Sequence, residues 1–197
     1  MSNFASKNLT AGELNALVKK VGGEDKVRKI LSGELKIQLL STSGQVVVAL
    51  TDIEQFMTVS PDLAFEDRIA RGHYVWTNSG LTEKKFPVTA DQVGEWEWKL
   101  FHFDRDISSE EAIHLMKEDG YDAGQIGHIL TFGEINPEEQ RKYPIIGLGS
   151  VAKVNLNRYV PVLWNDDGER ELDLDWFDGD WHYGCRFLGV RRRPLVV

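Results

Sequence analysis

Cysteine is almost missing from this chain, since Cys185 is the only one among 197 residues. A single cysteine cannot form an internal disulfide, which agrees with a reducing compartment. No apolar run reaches the roughly 18 to 20 residues that a membrane-spanning helix needs, and the first residues lack the charged-then-apolar pattern of a signal peptide. We therefore expect a cytoplasmic protein with no membrane partner.

Positive charge is also scarce: 23 Lys and Arg face 31 Asp and Glu, which gives a net charge of −8. Nucleic-acid binding depends on clustered Lys and Arg that neutralise phosphates, so this balance opposes a nucleic-acid partner. Two N-terminal helices joined by Gly22 and Gly23 have the outline of a helix-turn-helix, but the charges around them are mixed and form no basic recognition face. Docking or formation of a homo-oligomer is the role that we expect for these helices.

Motifs that carry known chemistry are missing as well. The chain has no serine nucleophile elbow, no phosphate-binding loop and no dinucleotide fingerprint. Its five histidines show no His-x-x-His or His-x-x-x-His spacing, and one cysteine cannot complete a Cys/His zinc set. Carboxylates are numerous near the C terminus, but catalysis requires a pair with separated pKa values in a cleft. We expect no enzymatic activity, no catalytic residue, no metal and no cofactor.

Helices and then strands are predicted for the N-terminal region. Thr10 is a candidate N-cap with Glu13 at the third helical position, and the apolar stripe behind it predicts a helix ending near Val21. A second short helix should follow the Gly-Gly pair. The apolar stretches on either side of residues 41–44 predict two strands and a turn. Further along, 65–69 is read as a helical turn and 73–76 as a short strand.

A regular order of elements begins at Trp96. A strand is predicted there, followed by a helix that Ser108 or Ser109 opens and Gly120 stops. A second helix follows, and its apolar face comprises Ile126, Ile129, Leu130 and Phe132. After these we expect a short helical piece at 137–140 and four strands at 145–151, 159–163, 171–176 and 185–190. The first and last strands of this domain, near Trp96 and Phe187, should pair with each other, because this pairing buries both of them.

The stretch 158–193 alternates apolar residues with acidic and small polar ones. Eight acidic residues lie between Trp164 and Cys185, against the single base Arg170. In 171–176, period-two geometry should place the apolar residues inside and the carboxylates outside. The apolar scaffold of the whole stretch is Val160, Val162, Leu163, Leu172, Leu174, Trp176, Phe177, Trp181, Phe187, Leu188 and Val190.

Two segments of this region resemble a known family. GYDAGQIGHILTFGE is similar to a helix of the formylglycine-generating-enzyme branch of the C-type lectin fold, and WFDGDWHYGCRFLGVRR is similar to its closing strand. More narrowly, the tail resembles the variable proteins of diversity-generating retroelements, in which a lectin-type domain carries a hypervariable patch on a fixed scaffold. The resemblance covers about residues 95–193. It departs from the family pattern at Asp122 and Gly124, where the family motif has Arg and Thr.

The resemblance implies that adenine-directed diversification would act on exposed positions. Asn codons then become a restricted set that includes Asn, Asp, Gly, Ser, His, Tyr, Cys and Arg. The positions that fall within this set are Asn165, Asp166, Asp167, Gly168, Asp173, Asp175, Asp178, Gly179, Asp180, His182, Tyr183, Gly184 and Cys185. An acidic edge selected for solubility would have a similar amino-acid composition, because Asp and Gly are also common in turns. The residues leave both interpretations open.

Three alternatives to a variable binding protein remain at this point. A metal-dependent enzyme or binder of the formylglycine-generating or sulfoxide-synthase branch is the first, although those formylglycine enzymes use two active-site cysteines and this chain has one. A structural interaction protein acting through its N-terminal helices is the second. Calcium-dependent sugar binding is the third, because Trp164-Asn165-Asp166 matches a lectin "WND" motif; its companion "EPN" motif is missing.

We therefore predict an α+β chain with a C-type lectin-like ligand-binding domain at 91–197, a helical appendage at 1–35 and a β-containing connecting region at 36–90. The predicted function is non-enzymatic recognition of a protein or other macromolecular ligand through residues 165–185. Trp164 is expected to add contact area beside them. The predicted ligand-binding residues are Asn165, Asp166, Asp167, Asp173, Asp175, Trp176, Asp178, Asp180, Trp181, His182 and Tyr183.

Overall fold

Residues 11–31, 35–42, 45–52 and 55–193 are described by a computed structural model of the chain. They belong to two units, Met1–Glu54 and Gln55–Val197. Helices and strands are mixed in both, and a large mixed sheet dominates the second unit. None of the helices among the described residues is long and apolar enough to cross a membrane.

The first unit contains two helices and a β-hairpin, as the sequence predicts. Gly22 and Gly23 separate the helices and both have positive φ angles, 97° and 105°, which residues without a Cβ adopt at little cost. The predicted N-cap Thr10 lies outside the described residues. The elements are α1 (Ala11–Val21), α2 (Glu24–Leu31), β1 (Leu35–Thr42) and β2 (Gln45–Asp52), with β1 antiparallel to β2.

The second unit follows the predicted order of strand, two helices and further strands, with three short elements in front. Its first part comprises β3 (Phe56–Val59), α3 (Phe65–Arg71), β4 (Trp76–Thr77), β5 (Gly94–Phe101), β6 (Ile107–Ser108) and α4 (Ser109–Glu118). The remainder comprises β7 (Asp122–Ala123), α5 (Ile126–Ile135), β8 (Ile145–Ile146), β9 (Ala152–Val154), β10 (Asn157–Asp166), β11 (Glu169–Trp176), β12 (Asp180–Trp181) and β13 (Arg186–Arg192).

The first and last long strands of the second unit, β5 and β13, are neighbours in the central sheet. β13 is antiparallel to β5 over six residue pairs, from Phe187 opposite Phe101 to Arg192 opposite Trp96. The strand order across the sheet is β3-β5-β13-β8-β10-β11-β4, while β7 pairs with β13 and β9 pairs with β10. The predicted pairing of β5 with β13 is confirmed. The segment 55–90, which the sequence assigns to a connecting region, supplies the two edge strands β3 and β4 of this sheet.

Both faces of the sheet are covered. α5 lies on one face, where Phe132 meets Trp98 edge-to-face with 4.8 Å between ring centroids. Ser108 caps α4 by accepting a hydrogen bond from the Glu111 amide, as the sequence predicts. The residues Ala112 and Met116 of α4 are fully buried in a second cluster that includes Phe187. Residues 160–163 of β10 are all buried, because both faces of the sheet are covered there, and this explains their continuous apolar run.

Three predicted elements differ from the structure. Residues 137–140 form turns instead of a helical piece, with the Glu139 amide bonded to the Asn136 carbonyl. The strand predicted at 145–151 ends at Ile146, because a Cβ at Gly147 would lie 2.4 Å from Ile129 and the backbone there packs directly on α5. The strand predicted at 73–76 is only Trp76–Thr77, since the preceding chain turns at His73, whose φ is 49°.

His128 is a buried histidine at the start of α5. Its Nδ1 accepts a hydrogen bond from the Gln125 amide at 3.0 Å, and its ring meets Trp96 edge-to-face at 4.5 Å. Nε2 is buried without a hydrogen-bond partner. Burial, and after it the nearby Arg192, lowers the pKa of His128 to about 4. The side chain is therefore neutral in the folded protein near pH 7.

This histidine should make the folded protein less stable in mild acid. In the unfolded chain His128 takes up a proton near pH 6.5, and in the folded state only near pH 4, so stability falls as the pH drops through that window. Between pH 7 and pH 5 the loss should be about 2 kcal/mol. We expect His128→Gln, which keeps an acceptor for the Gln125 amide, to remove this loss in urea unfolding measured at both pH values. The exposed His114→Gln serves as the control, and an unchanged pH slope in His128→Gln would contradict the prediction.

Candidate functional site

The candidate site is built on a buried arginine. Arg170 was predicted to be the single base of an acidic surface, but it is only 7% exposed and points inward. Nη1 donates to the Gly72 carbonyl and Nη2 to the Gly133 carbonyl, both at 2.6 Å, and Nε donates to Gln140 Oε1 at 3.1 Å. The guanidinium also lies 5.1 Å from the centroid of the Tyr74 ring. Burial lowers the pKa of Arg170, and its hydrogen bonds to carbonyl oxygens offset part of the desolvation cost.

Gln140, which accepts the hydrogen bond from Arg170, also bonds to the backbone of the β10–β11 hairpin. Its side chain is fully buried, and Nε2 donates to the carbonyls of Trp164 at 2.6 Å and Glu171 at 3.0 Å. These two residues face each other across the hairpin. Their backbones are therefore fixed by an interior network while their side chains lie on the surface of the sheet.

Trp76, Glu171 and Trp164 form one row across three neighbouring strands, which we call the tryptophan row. Trp76 is the partner of Glu171 in the parallel pair of β4 and β11, and Trp164 is its partner in the antiparallel pair of β11 and β10. Paired residues project from the same face, and neighbouring strands lie about 4.8 Å apart. The tryptophans are 46% and 42% exposed. Two indoles thus flank one carboxylate on a rigid sheet edge.

Asp173 and Asp175 continue along β11 on the face of Glu171. Asp173 accepts a hydrogen bond from Asn78 Nδ2 at 2.7 Å, so it holds the chain beyond β4 in place. Asp175 is exposed, and its Oδ1 accepts from the Trp176 amide at 2.7 Å. Burial first, and then the charge of Asp175, raises the pKa of the Cys185 thiol. Cys185 therefore stays a thiol at neutral pH.

The hairpin tip holds Asn165, Asp166 and Asp167. Asp167 and Gly168 have φ angles of 44° and 88°, as in the two-residue Asp-Gly turns that fit a twisted hairpin. Asp166 is exposed, whereas Asn165 Oδ1 is buried without a hydrogen-bond partner. Among residues 11–31, 35–42, 45–52 and 55–193, no group of three or more His, Cys, Asp or Glu side chains is arranged to hold a metal ion.

The loop after β11 contains both anchored and exposed residues. Asp178 accepts from Arg158 Nε at 2.6 Å, and this ion pair lowers the pKa of Asp178. Asp180 is exposed and pairs with Ser108 in the small sheet of β12 and β6. The prediction that Trp181 offers its ring to a ligand is wrong: it is 5% exposed, and its Nε1 donates to Ser109 Oγ at 2.8 Å. Its indole is a core side chain.

His182 and Tyr183 are exposed neighbours at the end of this loop, with ring centroids 4.0 Å apart. The backbone of Tyr183 is held on both sides, because its amide donates to Asp106 Oδ1 and its carbonyl lies 3.0 Å from His102 Nε2. The Tyr183 side chain is 56% exposed. A fixed backbone therefore carries two side chains that project into solvent.

Trp176 lies apart from the tryptophan row. Alternation along β11 sets it on the opposite face from Asp175, where it pairs with Tyr159. The sequence predicts an inward Trp176, but the side chain is 58% exposed because it lies at the end of the strand. The predicted site residues thus divide between the hairpin tip, the acidic face of β11, the following loop and this opposite face.

No member of the tryptophan row is in the predicted list of ligand-binding residues, although Trp164 is expected to add contact area beside it. Trp76 lies 95 positions before Glu171, and only a two-residue parallel pairing brings it to the row. Glu171 was counted among the acids without a role of its own. The available signal in the sequence is the position of Trp76 directly before the turn-forming residues Asn78-Ser79-Gly80.

No family model, curated protein or solved structure matches this chain. The class of protein that the fold and the site define is a mixed α/β chain with an exposed row of aromatic and acidic side chains.

Four exposed side chains of this region should be replaceable without loss of stability. Asp166, Asp175, His182 and Tyr183 form no side-chain hydrogen bond or ion pair, within the described ranges, with a residue more than two positions away. We expect the quadruple variant Asp166→Asn, Asp175→Asn, His182→Asn and Tyr183→Ser to unfold within about 1 kcal/mol of the original in urea. The single change Trp181→Ala should cost about 3 to 5 kcal/mol, because it opens a cavity and leaves Ser109 without its donor. Comparable losses of unfolding free energy in the quadruple variant and in Trp181→Ala would contradict this distinction between exposed and core side chains.

Proposed function

We propose that this protein binds a protein or other macromolecular ligand without catalysing a reaction, and that it does so through a variable surface on a C-type lectin-like domain. We further propose that a diversity-generating retroelement diversifies this surface. The observation that carries the proposal is the separation of exposed, replaceable side chains from a buried scaffold within one short stretch, 164–188.

The connectivity of the second unit supports the lectin-like part of the proposal. The family resemblance implies a domain that begins and ends in neighbouring strands, with two helices and then a hairpin between them. β5 and β13 pair over six residue pairs, α4 and α5 follow β5, and β10 with β11 forms the hairpin. A ligand-binding stretch between the hairpin and the closing strand then has both of its ends fixed by the sheet.

The burial of individual side chains supports the variable surface. Most positions compatible with adenine-directed diversification are exposed, namely Asp166, Asp167, Gly168, Asp175, Asp178, Gly179, Asp180, His182 and Tyr183. The scaffold residues between and after them that are buried are Leu172, Phe177, Trp181, Phe187, Leu188 and Val190. The four remaining positions, which are only partly exposed, are Asn165, Asp173, Gly184 and Cys185. Substitution at the exposed positions would change the surface and leave the core intact.

The tryptophan row indicates what kind of ligand group this surface favours. Indole faces attract Lys and Arg side chains, and a carboxylate between two indoles adds an opposite charge. Aromatic side chains on a fixed backbone also give large contact area at low entropic cost. Glu171 lies between Trp76 and Trp164, with Asp173 and Asp175 on the same face. We propose that the ligand presents a basic side chain to this row.

The gene locus tests the proposal directly. We expect a reverse transcriptase gene nearby and a near-repeat of the DNA that codes for the tail, differing from it at adenines. The differing codons should include those of the exposed Asp166, Asp175, His182 and Tyr183. A complete locus that contains neither feature would overturn the diversification, and so would differences confined to codons of buried residues.

A further inference from the structure

Two buried arginines of this unit have very different surroundings. Arg170 uses its side chain to bond two carbonyls and one amide oxygen. Arg68, at 5% exposure, is as deeply buried, but its described bond is a single one, from Nη2 to the Ser60 carbonyl. Among the described residues neither its buried Nε nor its Nη1 has a hydrogen-bond partner. No carboxylate lies within 4 Å of its guanidinium among the described residues. A buried cation left in this state is costly.

Arg68 is one of the residues that line an open pocket of about 350 Å³ between β3, α3 and α5. Arg71 and Glu134 line it as well, and Arg71 Nη1 lies 3.3 Å from Glu134 Oε1. Burial, and after it the charge of Arg71, lowers the pKa of Arg68. Two guanidinium groups and one carboxylate give the pocket one excess positive charge, although the whole chain has a net charge of −8.

The remainder of the lining combines apolar residues with Thr58, Ser60 and Thr131. Leu63 and Leu130 contribute to the walls, and Ile135, which is 47% exposed, lies at the surface beside them. A volume near the lower limit for small-molecule sites favours a small ligand over a macromolecular segment. The guanidinium fork matches the two oxygens of a carboxylate, and one negative charge balances the excess of the pocket. The apolar residues of the lining suit a short apolar body behind that group.

We propose that this pocket binds a small aliphatic monocarboxylate, whose carboxylate accepts hydrogen bonds from Arg68 and pairs with Arg71 while its chain contacts Leu63, Leu130 and Ile135. The site is formed by β3, α3 and α5 and is separate from the tryptophan row, so it does not depend on the proposed function. Binding gives Arg68 Nη1, which has no hydrogen-bond partner among the described residues and unlike Nε is not among the buried atoms, an acceptor, and this charge-assisted bond favours the anion over a neutral molecule of the same shape.

Titration of the full-length protein with octanoate, monitored by calorimetry, tests this proposal, with octan-1-ol as the uncharged comparator. We expect saturable one-to-one binding of octanoate, and binding of octan-1-ol weaker by about tenfold or more, since a charge-assisted hydrogen bond is lost. Arg68→Met should weaken octanoate binding by a similar factor. The same variant should melt no lower than the original protein, because it removes an uncompensated buried charge. Arg170→Met should melt well below both.

Two surface variants keep the test valid if Arg68→Met does not fold. Arg71→Gln should weaken octanoate binding and Glu134→Gln should strengthen it, because they change the charge of the pocket in opposite directions. Arg141→Gln, a change at an exposed arginine paired with Glu138, should leave binding unaltered. Absence of saturable binding up to about 10 mM octanoate would overturn the proposal. Equal affinity for octan-1-ol, or unchanged affinity in both Arg68→Met and Arg71→Gln, would overturn it as well.

Discussion

The antiparallel pairing of β5 with β13 is the interaction on which the rest of the second unit depends. It joins residues about 90 positions apart along the chain, from Phe187 opposite Phe101 to Arg192 opposite Trp96. Both strands contribute to the two apolar clusters, so pairing them brings the clusters together. A long loop closed by one strand pair carries an entropic cost, and here buried aromatic and aliphatic side chains offset it. All elements between β5 and β13 are folded inside that closed loop.

Anchoring by interior polar groups explains how an acidic, irregular stretch keeps a defined shape. Arg170 and Gln140 fix the backbone of the hairpin, Asn78 holds Asp173, and Ser109 holds the indole of Trp181. Each of these bonds joins the stretch to a different preceding element. The side chains that remain unattached lie outside this frame, so we expect substitutions there to leave the fold intact.

Most of the order of elements could be predicted from the sequence, because local patterns determine it. Ser108 predicts the start of α4, and the apolar periodicity of Ile126, Ile129 and Leu130 predicts α5. The environment of single residues could not be predicted in the same way. Arg170 lies in an acidic run that looks exposed, yet its acceptors lie 98 and 37 positions away, at Gly72 and Gly133. Trp76 joins the candidate site through the pairing of β4, and Trp181 enters the core through its packing on Phe187 and its bond to Ser109.

Amide hydrogen exchange of the purified protein measures the closing pair most directly. The Trp98 amide donates to Gln55 on the β3 side, so alternation directs the Lys99 amide towards β13, where Gly189 is its partner. If this pair holds the unit together, the amides of Lys99 and Gly189 exchange only on global unfolding, as slowly as that of Leu130 in α5. The amides of Gly168 and Gly179, in exposed turns, exchange far faster. Exchange at Lys99 and Gly189 well before Leu130 would contradict the account.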